Sequence, residues 1–380
     1  MKKILLVGGG SGGHLTPLFA IRDAILAEAP QTKTEIWTDR KMAPAARARL
    51  ANAGPVPVRT IISGKYRRYV GRKTPLRERF QNFLDIFRIA FGTLQSFFRL
   101  LFSRPDIIFL KGGFTSVPVG FAARFLRIPY IIHESDSDLG LANRLLAGHA
   151  RIVALGLPPS DSLPPSLKAK AIYTGIPIDA VWFQAPRIHK TGTPNPAKPG
   201  RPSVVVLGGG LGAHSLNLEA VKMAKYFQDK VAITAIIGDK ESLKLEQELQ
   251  QFGVATHRFV SSAAELAQIV RSADLVVARA GATTIAELAA ASRAVVLIAK
   301  ATLPGGHQEK NAALLARANA VIDYDGSTLA DDQLPLTVAN LLADPAQRQS
   351  LGAKLHQLGR YDAANTLAKL LLDPTTGKLP

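Results

Sequence analysis

The chain has 380 residues, enough for two domains that each bury a core. Its 47% hydrophobic and 20% charged content excludes global disorder, and the lack of cysteine excludes disulfides, thiolate catalysis and Cys-ligated metals. A formal net charge of +18 points to an anionic partner: nucleic acid, a membrane surface or a phosphorylated substrate.

The first strand, 3–7, follows a start with no signal-peptide pattern, so the chain reads as cytoplasmic. It ends in GGGSGGH at 8–14. A buried strand, a glycine turn and a helix start together suit an anionic group, because glycines let the backbone approach and the helix end offers unpaired N–H groups. Gly8, Gly10 and Gly13 satisfy the dinucleotide-turn spacing, and Asp39, after the strand 34–38, lies somewhat late for the companion acid, so a dehydrogenase stays open at this point. His14 is unusual for that role. In the first helical turn it would face the cleft, where the positive helix end keeps imidazole neutral and able to accept a proton. A histidine that only caps or packs the turn is the competing reading.

From 59 to 79 there are eight basic residues and one acid, Glu78, with Tyr66 and Tyr69 interleaved. The stretch 80–102, FQNFLDIFRIAFGTLQSFFRLLF, is rich in Phe and Leu but interrupted by Asp85, Arg88, Gln95 and Arg99, so a spanning helix is not expected. A basic flank, with Arg67 and Arg68, joined to this amphipathic helix fits a segment lying on an anionic membrane, with Phe97, Phe98 and Phe102 in the interface. An ordinary core helix is the alternative. The density of phenylalanine favours the membrane, and no nucleic-acid module is visible, so nucleic acid is not expected as a partner.

Further strands are expected at 106–110, 130–133, 151–155 and 171–174. The Pro/Gly/Lys-rich stretch 184–202 reads as an exposed loop. The second half repeats the alternation, with strands at 203–207, 231–237, 257–260, 275–278, 294–298 and 320–323 and helical patterns between them. Short, apolar, β-branched strands of this kind belong to buried parallel sheets. The second glycine turn, GGGLGAHSLN at 208–217, follows the strand 203–207. Two more strand-to-helix entries follow, RAGATTIAEL at 279–288 and PGGHQEKNA at 304–312. Glu287 falls where a carboxylate can accept both ribose hydroxyls, although a solvated helix acid is the commoner fate of a single Glu. Such entries converge on one crevice in open α/β sheets.

GGGSGGH at 8–14, KGGFTSVPVGFAA at 111–123, HESDSDLGLANR at 133–144, TGIPID at 174–179, GGGLGAHSLN at 208–217, ARAGATTIAEL at 278–288 and HQEKNA at 307–312 resemble, in order, the motifs of the MurG family. These are the peptidoglycan N-acetylglucosaminyltransferases that convert lipid I to lipid II. The resemblance implies an α/β fold of GT-B type: two Rossmann-like domains with parallel sheets facing an interdomain cleft. Residues 1–177 would hold the acceptor and the membrane, residues 178–358 the UDP-sugar donor, and a helix at about 359–375 would pack back on the first domain.

The resemblance also carries roles. Ser11, Gly12 and Gly13 match the loop approaching the donor sugar and diphosphate, and His14 matches its candidate base, with Glu134 the second choice. Asn143 matches an asparagine near the donor sugar, Glu287 the ribose ligand, and Gln308 a glutamine near the sugar hydroxyls, with Asn311 closing that motif. Gly210, Leu211, Gly281, Ala282, Thr283 and His307 complete the donor set. Gly112, Gly113, Phe114 and Ser116 fall on the acceptor side. Three positions depart from the family: Gly210-Leu211 replaces a serine-containing turn, Asp179 stands where arginine is frequent, and Ser135-Asp136 replaces the more usual Gln-Asn.

The implied reaction is inverting transfer from UDP-GlcNAc to the muramyl 4-hydroxyl of an undecaprenyl-diphosphate-linked acceptor, with no cofactor and no metal, on the inner face of the membrane. A related transferase with another acceptor and a UDP-sugar epimerase remain alternatives. An inactive nucleotide-sugar binding protein is a third, favoured by Gly210 and Asp179 and opposed by His14, Glu287 and Gln308.

Overall fold

The structure is a computed structural model and describes residues 1–51, 56–66, 75–159, 163–183, 201–208, 214–238, 242–258, 263–299, 306–326 and 333–373. The chain divides into two compact units, Met1–Asp179 with Arg360–Pro380, and Ala180–Gly359.

The first unit runs β1 (Lys3–Val7), α1 (Gly12–Glu28), β2 (Lys33–Thr38), α2 (Ala43–Leu50), β3 (Val58–Thr60), α3 (Leu76–Ser103), β4 (Ile107–Leu110), α4 (Ser116–Phe125), β5 (Tyr130–Glu134), α5 (Leu141–Ala147), β6 (Ile152–Leu155), α6 (Pro165–Lys168) and β7 (Ala171–Tyr173). Its seven strands are ordered β3-β2-β1-β4-β5-β6-β7, and their pairings are parallel. Alternate side chains supply two cores, as a strand's twofold period requires. Ile4 and Leu6 pack on one face with Leu18 and Ile21 of α1, and Leu5 and Val7 on the other with Val119 and Ala122 of α4. The strand order reverses between β1 and β4, which is where open α/β sheets bind ligands. β3 has no apolar run, only Val58-Arg59-Thr60 at a sheet edge, and periodicity did not reveal it.

The second unit runs β8 (Ser203–Leu207), α7 (His214–Phe227), β9 (Ala232–Ile237), α8 (Leu243–Gln251), β10 (Ala255–Arg258), α9 (Ala263–Ser272), β11 (Leu275–Arg279), α10 (Ala282–Ala291), β12 (Ala294–Ala299), α11 (His307–Arg317), β13 (Ile322–Asp325), α12 (Gln333–Ala343) and α13 (Pro345–Gln357). Its parallel order, β10-β9-β8-β11-β12-β13, puts the same reversal between β8 and β11. β13 starts two residues later than the expected 320, because Ala320 still belongs to the turn closing α11, its N–H donating to the Leu315 carbonyl at 3.0 Å.

The final helix, α14 (Ala363–Leu372), returns to the first unit. Its Leu367, Ala368, Leu370 and Leu371 join Ile4, Leu6 and Leu18 in one core. The Lys2 ammonium donates to the Leu372 carbonyl.

α3 is built the other way round. It buries Asn82, Asp85, Gly92, Ser96 and Leu100 and exposes Phe80, Phe83, Phe87, Phe91, Phe98 and Phe102. Gly92 lies so close to the Ile62 carbonyl that a Cβ would have no room. Asp85 accepts from Arg88 at 2.7 Å, and Arg99 donates to the Thr60 carbonyl at 2.7 Å. Among the described residues, no helix is long and apolar enough to cross a membrane.

Candidate active site

In the first unit the candidate residues gather at the carboxyl ends of β1, β4 and β5. The glycine turn after β1 is held from several sides. Gly10 has φ +87°, and a side chain there would strike the Phe114 ring at 2.6 Å; one at Gly9 would strike the Asp39 carboxylate and the Thr115 hydroxyl. Gly12 faces open space. The Asp39 carboxylate accepts from the Gly10 N–H at 2.5 Å and the Lys41 N–H at 2.9 Å. The acid considered for a ribose therefore fastens the turn instead. Ser11 is the extended residue before α1 and makes no side-chain cap.

His14 and Gly13 open α1 beside the β4 loop, and a Cβ on Gly113 would lie 3.4 Å from His14 Nε2. Burial first, and then the Lys111 ammonium, lower the His14 pKa from 6.5 to about 4, against the pull of Asp136 and the Lys111 carbonyl. The imidazole is neutral near pH 7, with burial and the neighbouring ammonium as the main causes.

Glu134 ends β5 and is buried. Its Oε2 accepts from the Gly140 N–H at 2.7 Å and Asn143 Nδ2 at 2.9 Å, and its Oε1 from the Asp136 N–H at 3.2 Å. Burial, with Asp136 nearby, raises its pKa above the carboxylate range, although these three donors act against the rise. Asn143 is only 2% exposed and also donates to the His133 carbonyl at 3.0 Å. Here its amide nitrogen orients Glu134, while its Oδ1 is buried with no hydrogen-bond partner among the described residues. Ser116, in contrast, is corrected. It is fully buried, and its hydroxyl donates to the Gly112 carbonyl at 2.8 Å. Gly112, Gly113 and Phe114 surround the turn, the two glycines with φ +91° and +73°. A cavity of about 420 Å³ opens beside Glu134, lined also by Asp136, Leu139, Arg144, Leu155 and Leu163.

The membrane set divides. Phe98 and Phe102 are exposed, Phe102 by 84%, but Phe97 turns inward and packs against the core, which removes it from the outer face. Arg67 and Arg68 lie outside the described residues, as do Gly210 and Leu211. Asp179, the acid in an arginine's place, pairs with Arg49 at 3.2 Å.

In the second unit, Gly281 precedes α10, with Ala282, Thr283 and Glu287 in its first two turns, and Gly306 precedes α11, which begins at His307. Asn311 is fully buried, and its Nδ2 donates to the Ala280 carbonyl at 3.2 Å, tying α11 to the turn after β11 rather than reaching outward. Buried polar atoms of Arg279 (Nε), His307 (Nδ1) and Gln308 (Oε1) have no hydrogen-bond partner among the described residues. Such atoms have capacity left for a water or a ligand. Two helix N-termini beside them suit an anion. Arg279 and Lys111 were missed in the sequence. Each is the last residue of, or the first after, a strand at a strand-order reversal, and that position was their signal.

The glycosyltransferase family 28 N-terminal domain matches residues 4–155 and its C-terminal domain residues 203–367. A UDP-N-acetylglucosamine–N-acetylmuramyl-(pentapeptide) pyrophosphoryl-undecaprenol N-acetylglucosamine transferase of Treponema denticola is 34% identical over 78% of this chain and 77% of its own length. The protein of that name from Borrelia garinii is 31% identical over 98% of this chain and 97% of its own. Acinetobacter baumannii MurG has a similar solved structure, with a TM-score of 0.71 at 22% identity over 98% of this chain and 99% of that one. The UDP-GlcNAc 2-epimerase from Neisseria meningitidis, bound to UDP-GlcNAc, scores 0.62 at 13% identity over 97% and 99%. At these identities the two structures show the fold alone.

Proposed function

This chain belongs to the family of the UDP-N-acetylglucosamine–N-acetylmuramyl-(pentapeptide) pyrophosphoryl-undecaprenol N-acetylglucosamine transferases, and on that premise we propose that it transfers N-acetylglucosamine from UDP-GlcNAc to the muramyl 4-hydroxyl of lipid I, forming lipid II. The hydroxyl oxygen attacks the anomeric carbon, the bond from that carbon to the diphosphate breaks with inversion, and UDP leaves. The hydroxyl proton passes to the imidazole of His14. The single observation that carries this assignment is a neutral imidazole at the strand-order reversal, beside the glycine turn. Amides at the starts of α10 and α11 meet the charge of the leaving diphosphate, with Glu287 on the ribose and Gln308 on the sugar.

In this reading the reaction needs no metal, and activity is expected to survive EDTA. The exposed face of α3 rests on an anionic membrane surface, which keeps the enzyme beside its lipid-linked acceptor on the cytoplasmic side.

The test is UDP release from UDP-GlcNAc with and without a lipid I analogue. Acceptor-dependent release is expected; acceptor-independent turnover would favour epimerase or hydrolase chemistry. His14→Ala is expected to lower kcat by roughly 10²–10⁴ with little change in the KM for UDP-GlcNAc. A base whose pKa is about 4 acts above that pH and is lost as pH falls through it, so the acid limb of kcat/KM is expected near 4. A limb above the ordinary carboxylate range, abolished by Glu134→Gln, would transfer the role to Glu134.

A further inference from the structure

The cavity beside Glu134 is not accounted for by the transfer step. Its volume of about 420 Å³ falls within the range of small-ligand sites, about 300–1,000 Å³. It lies wholly in the first unit, at the carboxyl ends of β5 and β6. Its lining has two chemistries. Leu139, Leu155, Leu157 and Leu163 form an apolar wall, each no more than 8% exposed. Asp136, Asp138 and Arg144 add polar groups of both signs. Among the described residues the Arg144 guanidinium makes one hydrogen bond, from Nε to the Leu139 carbonyl at 2.7 Å, and no ion pair. Its two terminal amino groups keep their donors for solvent or a guest.

A path of contacts joins this cavity to the candidate base. Glu134 lines the cavity and accepts from Asn143 Nδ2 at 2.9 Å. A Cβ on Gly112 would lie 2.9 Å from that same nitrogen, and one on Gly113 3.4 Å from His14 Nε2. An acceptor hydroxyl held at this group of residues therefore has the cavity as its neighbour.

In the proposed reaction that hydroxyl is on C4 of a muramyl sugar. Muramic acid carries its peptide through the lactyl ether on C3, next to the reacting carbon, and its lipid diphosphate on C1, across the ring. The group nearest a space beside the reacting hydroxyl is thus the start of the peptide. The lining agrees. A peptide has N–H groups that donate to carboxylates, small apolar side chains, and carboxylates that a guanidinium holds by charge-assisted hydrogen bonds. A prenyl chain would leave the charged groups of the lining without partners from the guest.

We propose that this cavity is the subsite for the sugar-proximal residues of the acceptor's peptide stem: the leucine wall packs against their side chains, Asp136 accepts from a peptide N–H, and Arg144 donates to a stem carboxylate. The proposal rests on the transfer reaction above and adds to it a determinant of acceptor choice.

The test compares two lipid I analogues that differ only in the stem, one with the pentapeptide and one whose lactyl carboxyl is capped as its methylamide. In the full chain, kcat/KM for the pentapeptide analogue is expected to exceed that for the capped one by about tenfold or more, carried by the acceptor KM and not by the KM for UDP-GlcNAc. Arg144→Ala is expected to bring that ratio close to one by raising the KM of the pentapeptide analogue. Leu157→Trp, which fills the cavity, is expected to do the same and serves where the first variant does not fold. Equal kcat/KM for the two analogues in the unaltered protein overturns the proposal, as does an unchanged ratio in the folded variants. So does an acceptor KM that follows the length of the prenyl chain and not the stem, which would put lipid in the cavity. If neither analogue is turned over, the transfer reading fails, and calorimetry with soluble muramyl pentapeptide and N-acetylmuramic acid decides the cavity by itself. Tighter binding of the peptide, lost in Arg144→Ala, supports the subsite, and equal binding of the two overturns it.

Discussion

α3 and α14 are both amphipathic helices of the first unit, and they turn their apolar stripes in opposite directions. α14 lays Leu367, Leu370 and Leu371 on the core beneath β1 and β4. α3 lays Asn82, Asp85, Gly92 and Ser96 inward and leaves Phe80, Phe87, Phe91 and Phe98 outside, Phe91 by 64%. An amphipathic pattern therefore fixes that a helix has an apolar face, and the rest of the fold decides where that face goes. A contiguous exposed patch of this kind on a folded unit marks a surface that something else covers.

Four variants break or sharpen this contrast, taken in order of their effect on folding. Leu371→Ala removes a side chain of the α14 core and is expected to cost about 2–5 kcal/mol in urea unfolding of the first unit. A cost near zero would mean that α14 is a passenger. Asp85→Ala strips the inward face of α3 of its buried carboxylate and is expected to cost about 1–3 kcal/mol, measured the same way. Phe97→Ser, at a half-buried ring packed on the core, is expected to cost about 1 kcal/mol and leave vesicle binding nearly intact. The pair Phe98→Ser and Phe102→Ser is expected to change stability by no more than about 0.5 kcal/mol. The same pair is expected to weaken binding to anionic vesicles by more than about tenfold. If Phe97 and Phe98 behaved alike in both measurements, the two faces of α3 would not differ as the structure has them.

The same contrast explains what the residues disclosed in advance. Runs such as Ile4-Leu5-Leu6-Val7 and Val204-Val205-Val206-Leu207 announce a doubly buried parallel strand, because they are short, contain β-branched residues and end in glycine turns. β3 offers no such run and was silent. Among candidate site residues, the glycine turn and His14 were legible from local spacing. The Asn143 amide nitrogen and the Ser116 hydroxyl are engaged by Glu134 and Gly112, and such pairings belong to the fold rather than to the motif. Lys111 is the sharpest case. Its identity stood in the K-G-G sequence, yet its meaning depends on Ser135, one strand away.

The return of α14 to the first unit also has a consequence for how the protein is made. Residues 180–359 form a unit of their own inside the sequence of the first. During synthesis, a ribosome delivers β1 to β7 early, but the helix that covers Ile4, Leu6 and Leu18 emerges only after that whole inserted unit. The nascent first unit holds an uncovered apolar surface until α14 emerges, so translation order makes it the last to close. A chain ended between residues 359 and 363 would carry a complete second unit joined to a first that lacks its cover.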